Sequence, residues 1–118
     1  MPSRKWIDTD ELELEFNKSL EDDKATDELK KMLLLMTEMI SIKIIYLYRD
    51  LRSHDLCINI TYEYMLDNWK NFNKSKNPKT KLLTYYGEVI RRIMIEASKD
   101  PYFMINKRRT KLIDRMLQ

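Results

Sequence analysis

Apolar residues recur along this chain at helical spacing, in blocks separated by polar or charged stretches. Over residues 9–20, Leu12, Leu14, Phe16 and Leu20 give a partial apolar face, and Asp8 and Thr9 offer capping oxygens ahead of an acidic first turn. Residues 21–25 read as a charged linker. A second helix is expected from Thr26, with Asp27 and Glu28 in its first turn. Its stripe of Leu33, Met36, Ile40, Ile44, Leu47 and Leu51, widened by Leu35, Met39, Ile42, Ile45 and Tyr46, predicts continuation to about Arg52. That is a rod on the order of 40 Å long, apolar over so much of its circumference that several other helices must cover it. Residues 53–59 read as a turn. Tyr62, Met65, Leu66, Trp69 and Phe72 then predict a third helix, with Met65, Leu66 and Trp69 facing inward. Residues 73–81 hold four lysines and Asn77-Pro78, which breaks a helix on both sides of the bond. The period resumes with Leu82, Tyr86, Val89, Ile90, Ile93 and Met94, and Asp100-Pro101 ends that fourth helix. Residues 102–118, with Phe103, Ile105, Leu112, Ile113 and Met116 apolar, read as a short fifth.

Composition sharpens this into an all-α, compact bundle of about five helices. One Gly and three Pro in 118 residues, with abundant Leu, Ile, Met, Lys and Glu, leave little for strands or long loops. The length suits one domain. Within it an acidic segment with a short helix (1–25), a helical body (26–98) and a basic C-terminal helix (99–118) follow one another. Cys57 stands alone, so no disulfide framework or thiolate metal site is expected, which suits a reducing cytoplasm. His54 and Cys57 are too few for a metal site. The most apolar run, 32–48, carries Glu38 and Lys43 in its interior and reads as buried helix, not as a membrane span.

The net charge of +3 conceals an asymmetry. Residues 1–69 hold 9 Lys/Arg against 15 Asp/Glu, a charge of −6, whereas residues 70–118 hold 13 against 4, a charge of +9. A back half that positive has an electrostatic use against a phosphate backbone. No paired carboxylates, glycine-rich phosphate loop or metal cluster stands out, so neither catalysis nor a cofactor is expected.

The pieces Asn71-Phe72-Asn73, Lys74-Ser75-Lys76-Asn77-Pro78, Thr84-Tyr85-Tyr86 and Ile90-Arg91-Arg92-Ile93 resemble, in that order, the conserved second region of bacterial sigma factors. The nearest likeness is to the small late-transcription sigma factors of T-even-like bacteriophages, and it extends from about Thr26 to the C-terminus. The resemblance implies a sigma region 2-like fold. It implies a subunit that binds host core RNA polymerase in the cytoplasm of an infected bacterium and recognises and helps melt an AT-rich −10-like promoter element. Its third helix would dock on the clamp helices of the largest polymerase subunit, which puts Asn59, Tyr62 and Glu63 at that contact. Lys74, Lys76, Lys79 and Lys81 would lie along promoter phosphates. Tyr85 and Tyr86 would hold unstacked bases, and Arg91 and Arg92 would meet phosphates or a groove edge. Where primary sigma factors carry a tryptophan pair, this chain has Glu88 and Val89. The phage members also bind a replication sliding clamp through a C-terminal peptide, for which Leu112-Ile113 and Met116-Leu117 are the candidates, and a co-activator is a further partner to expect. The alternative is a helical adaptor that binds polymerase, or another protein, without reading DNA.

Overall fold

The computed structural model describes residues 7–47, 51–72, 76 and 79–99. Four α-helices form the protein within these bounds, with no strand among the described residues. They are α1 (Thr9–Asp22), α2 (Asp27–Lys43), α3 (Leu51–Asn68) and α4 (Leu82–Lys99). The fifth helix expected over 102–118 lies outside the described residues.

Helices α1 and α2 start where side chains satisfy orphan backbone donors. The Asp8 carboxylate accepts from the N–H groups of Asp10 and Glu11 at 2.9 and 3.1 Å, and Asp10 and Glu11 place negative charge in the first turn of α1. Asp23 closes α1 in the left-handed region (φ 53°), which lets the Lys24 N–H reach the Ser19 carbonyl at 3.0 Å. Thr26 caps α2 by accepting from the Leu29 N–H at 3.1 Å. Ser19, wholly buried, joins the two helices: its Oγ donates to the Glu15 carbonyl at 2.7 Å and accepts from the Thr26 N–H at 2.9 Å.

The long second rod is not formed. α2 stops at Lys43, a short 3-10 turn follows at Ile45–Leu47, and α3 begins at Leu51, running straight through the stretch 53–59 expected to be a turn. Two local features favour the break. Ser41 Oγ turns back to the Glu38 carbonyl at 2.5 Å, and Ile42, Ile44 and Ile45 are β-branched residues that crowd a helical turn. The apolar run continues across the break, so periodicity alone does not register it. In α3 the inward positions are Cys57, Thr61 and Met65, with Trp69 in the 3-10 turn (Trp69–Asn71) that follows. The first two of these, Cys57 and Thr61, are small, so the early turns of α3 leave a weak hydrophobic signal.

The core is drawn from all four helices: Leu12 and Phe16 from α1, Leu29, Leu33, Met36 and Ile40 from α2, Met65 from α3, and Leu82, Tyr86, Ile90, Ile93 and Met94 from α4. Of the three residues expected to face inward on α3, Met65 and Trp69 are buried and Leu66 is half-buried. Burial of one such large side chain contributes about 1.5–3 kcal/mol. Phe16 ties α1 to the rest, meeting Trp69 edge-on at 5.9 Å between ring centres, Phe72 at 6.2 Å and Tyr86 at 6.4 Å.

Candidate nucleic-acid interface

Helix α4 separates its residues cleanly. Leu82, Tyr86, Ile90, Ile93, Met94 and Ala97 are buried, while Lys81, just ahead of the helix, and Thr84, Glu88, Arg91, Arg92, Glu96 and Lys99 are exposed. The exposed set recurs every three or four residues, so it forms one outward ridge. Lys76 and Lys79, from the turn before the helix, are exposed as well. Among the described residues no carboxylate lies within ion-pair distance of Arg91 or Arg92. Their positive charge is therefore available to an external anion. Lys74 lies outside the described residues, as do Asn77 and Pro78.

The two adjacent tyrosines have different surroundings. Tyr85 is half-buried; its ring meets Phe72, also half-buried, at 5.1 Å with a 48° tilt. Tyr86, expected to hold an unstacked base, is instead 0% exposed, and its hydroxyl donates to the Trp69 carbonyl at 2.7 Å. It takes no part in the surface as folded. The reason is helical geometry: Tyr86 stands four residues from both Leu82 and Ile90 on the buried stripe, and its neighbour is turned about 100° away. Burial, with the nearby Tyr85 phenol adding to it, pushes the Tyr86 hydroxyl far above the ordinary tyrosine value, so it remains a donor.

Beside this aromatic pair an open groove of about 500 Å³ separates α1 from the turn that ends α3. Glu13, Phe16, Asn17 and Leu20 line one side, and Lys70, Asn71, Phe72 and Leu82 the other. Lys70 pairs with Asp23, the residue that closes α1, and its ammonium stands 5.8 Å from the Trp69 ring centre. Neither Asn17 nor Lys70 was singled out by sequence pattern, and Asn71 entered only as part of the Asn71-Phe72-Asn73 piece, because α1 and the 69–72 turn come together only in three dimensions.

On α3 the expected polymerase contacts divide. Asn59 and Glu63 are exposed and Tyr62 is half-buried. The same outward face carries Asp55, Leu56 and Asp67, so Asp55, Asn59, Glu63 and Asp67 recur at intervals of four as a mostly acidic stripe. That repeat is visible in the sequence once 53–59 is known to be helical. A second group of exposed apolar residues, Leu35 (43%), Ile42 (63%), Tyr46 (75%) and Leu47 (38%), stands on the outer side of α2 and the 3-10 turn after it.

Among the described residues no group of three or more His, Cys, Asp or Glu is placed to hold a metal ion, and no helix is long and apolar enough to cross a membrane. Cys57 is buried, which pushes its thiol from 9.0 to about 11. The class defined by fold and surface is thus an all-helical bundle with a basic ridge on one helix and an acidic stripe on another. Comparison with family models, curated proteins and solved structures gives no match to this chain.

Proposed function

We propose that this chain is a sigma-type transcription-initiation subunit of a bacteriophage. It binds host core RNA polymerase and recognises and helps melt an AT-rich −10-like promoter element. The observation that carries the reading is the head of α4: Tyr85, partly open to solvent against Phe72, lies on the helix whose ridge holds Arg91 and Arg92, which have no ion-pair partner among the described residues. A cationic ridge binds the phosphate backbone, and each neutralised phosphate adds about 0.9 to the log–log salt slope. An aromatic face holds an unstacked base with stacking of about 1–3 kcal/mol. Placed together, the two bind opened duplex in preference to closed. Lys74, Lys76, Lys79 and Lys81 extend the phosphate track, while Tyr86 supports the surface from beneath.

Polymerase engages the acidic outer stripe of α3, with Asn59, Tyr62 and Glu63 joined by Asp55, Leu56 and Asp67. Its largest-subunit clamp helices are the partner the resemblance names. The chain supplies no catalysis and needs no cofactor; nucleotide addition belongs to the polymerase, in the cytoplasm of the infected cell. The candidate sliding-clamp peptide, Leu112-Ile113 and Met116-Leu117, lies outside the described residues, and a co-activator is a further partner to expect.

The test is binding of the full chain, with and without core polymerase, to a fluorescein-labelled forked AT-rich DNA. Arg91→Ala with Arg92→Ala should lower the salt slope by about 1.8, and Tyr85→Ala should weaken forked DNA more than closed duplex. If these variants bind polymerase normally and form open complexes like the parent, the promoter-reading proposal fails. The exposed apolar group Leu35, Ile42, Tyr46 and Leu47 favours one other reading, a helical adaptor that occupies polymerase or another protein without touching DNA. That reading predicts polymerase binding with no DNA contribution at any salt.

A further inference from the structure

Lys70 lines the groove together with Phe72, and it does not face solvent alone. It projects from the turn that ends α3 and pairs with Asp23 at the far end of α1. The pair is partly exposed, with 45% of the Lys70 side chain and 80% of the Asp23 side chain accessible. In such surroundings an ion pair holds weakly and exchanges readily for another anion. Asp23 also follows Glu21 and Asp22, so the corner between α1 and α2 is a run of acids beside the groove. A phosphate strand lying along the α4 ridge and reaching Phe72 meets a Lys70 ammonium already engaged by Asp23.

From this geometry, and resting on the DNA-binding reading above, we infer that Lys70 is a further phosphate-contacting residue and Asp23 its built-in competitor. Without DNA the Asp23 carboxylate holds the Lys70 ammonium over the Trp69 ring. When a strand enters the groove the ammonium leaves the carboxylate for a phosphate oxygen. The exchange subtracts from the affinity of any DNA that reaches the groove. It spares closed duplex that touches only the α4 ridge. Asp23 is thus a positioning residue, acting on DNA through Lys70.

Equilibrium binding of the full chain to fluorescein-labelled forked AT-rich DNA, across a salt series, tests this. Asp23→Asn keeps a side chain that tolerates the left-handed backbone at that position (φ 53°) and removes the competing charge. It should bind the fork more tightly at low salt, with a log–log slope steeper by up to about 0.9. Its advantage should then shrink by up to about 3.5-fold for each fourfold rise in salt. Lys70→Gln should abolish the difference, so Asp23→Asn in the Lys70→Gln background should match Lys70→Gln alone. Asp23→Gly, which relieves the backbone, is a second carrier of the same charge change and should show the same slope. A purely structural ion pair gives the opposite pattern: lower melting temperature, equal or weaker binding and an unchanged slope. That pattern overturns the inference. Loss of all DNA binding by the unaltered chain, with or without polymerase, would instead overturn the function on which it rests.

Discussion

Tyr86→Phe separates support of the interface from membership in it. The substitution deletes one oxygen from a side chain that is 0% exposed, and so removes the 2.7 Å hydrogen bond to the Trp69 carbonyl while keeping the ring. Trp69 is itself 5% exposed, so water does not readily replace the lost donor. Leaving a buried acceptor unsatisfied costs about 1–2 kcal/mol. For a chain of this size that corresponds to a fall in melting temperature of roughly 4–8 °C. Tyr86→Ala would also remove the ring contacts to Phe16 and Tyr85 and cost about 3–5 kcal/mol. That is a large part of the 5–15 kcal/mol typical of a domain, so partial unfolding of the alanine variant would mimic a DNA-binding defect. The phenylalanine variant avoids that ambiguity. Circular dichroism melts give the stability change, and fluorescence anisotropy well below the midpoint gives the affinity of the folded protein for forked DNA. The expected result is a lower melting temperature with unchanged affinity. An unchanged melting temperature, or a several-fold loss of affinity while the variant is fully folded, would refute the assignment of Tyr86 to the core.

Other expectations follow from the same contacts. Gly87 is half-buried inside α4, and a Cβ built there meets nothing within 4 Å, so Gly87→Ala should stabilise by about 0.5–1 kcal/mol; a lower denaturation midpoint would contradict the open space. Thr26→Ala removes the cap on the Leu29 N–H and should cost about 1 kcal/mol, with Thr26→Asn restoring most of it in urea titrations. Burial raises the Cys57 thiol from 9.0 to about 11, so the folded chain keeps its proton where the unfolded chain releases it. This contribution is therefore complete below pH 9 and is lost as the pH rises towards about 11. Urea midpoints across that range should fall more steeply for the parent than for Cys57→Ala, and parallel declines would rule the effect out.

The helical class and much of the core were legible from the pattern of apolar positions. Leu33, Met36, Ile40, Leu82, Ile90, Ile93 and Met94 are buried where a 3.6-residue period puts them, because an apolar stripe on a helix can be shielded only by packing. The start of α2 was equally readable, since Thr26 is followed by two acids and its cap is a local hydrogen bond. The end of α2 was not. The apolar run crosses the break, and the stretch expected to be a turn is helical, with Cys57 and Thr61 buried by the rest of the bundle. Adjacent tyrosines posed a question that spacing could only half answer. Tyr86 lay on the buried stripe, but its acceptor, the Trp69 carbonyl, is 17 residues away in sequence.

By itself, then, the sequence determined a helical chain with its positive charge in the back half, because both follow from local spacing and residue type. The tertiary structure alone decided, among the described residues, which charges face outward and which are answered by a partner. Arg91 and Arg92 point outward, whereas Lys70 meets Asp23 across 47 residues of chain. Such pairings depend on how α1 lies against the end of α3, and that is set by edge-to-face packing around Phe16 rather than by any neighbour in sequence.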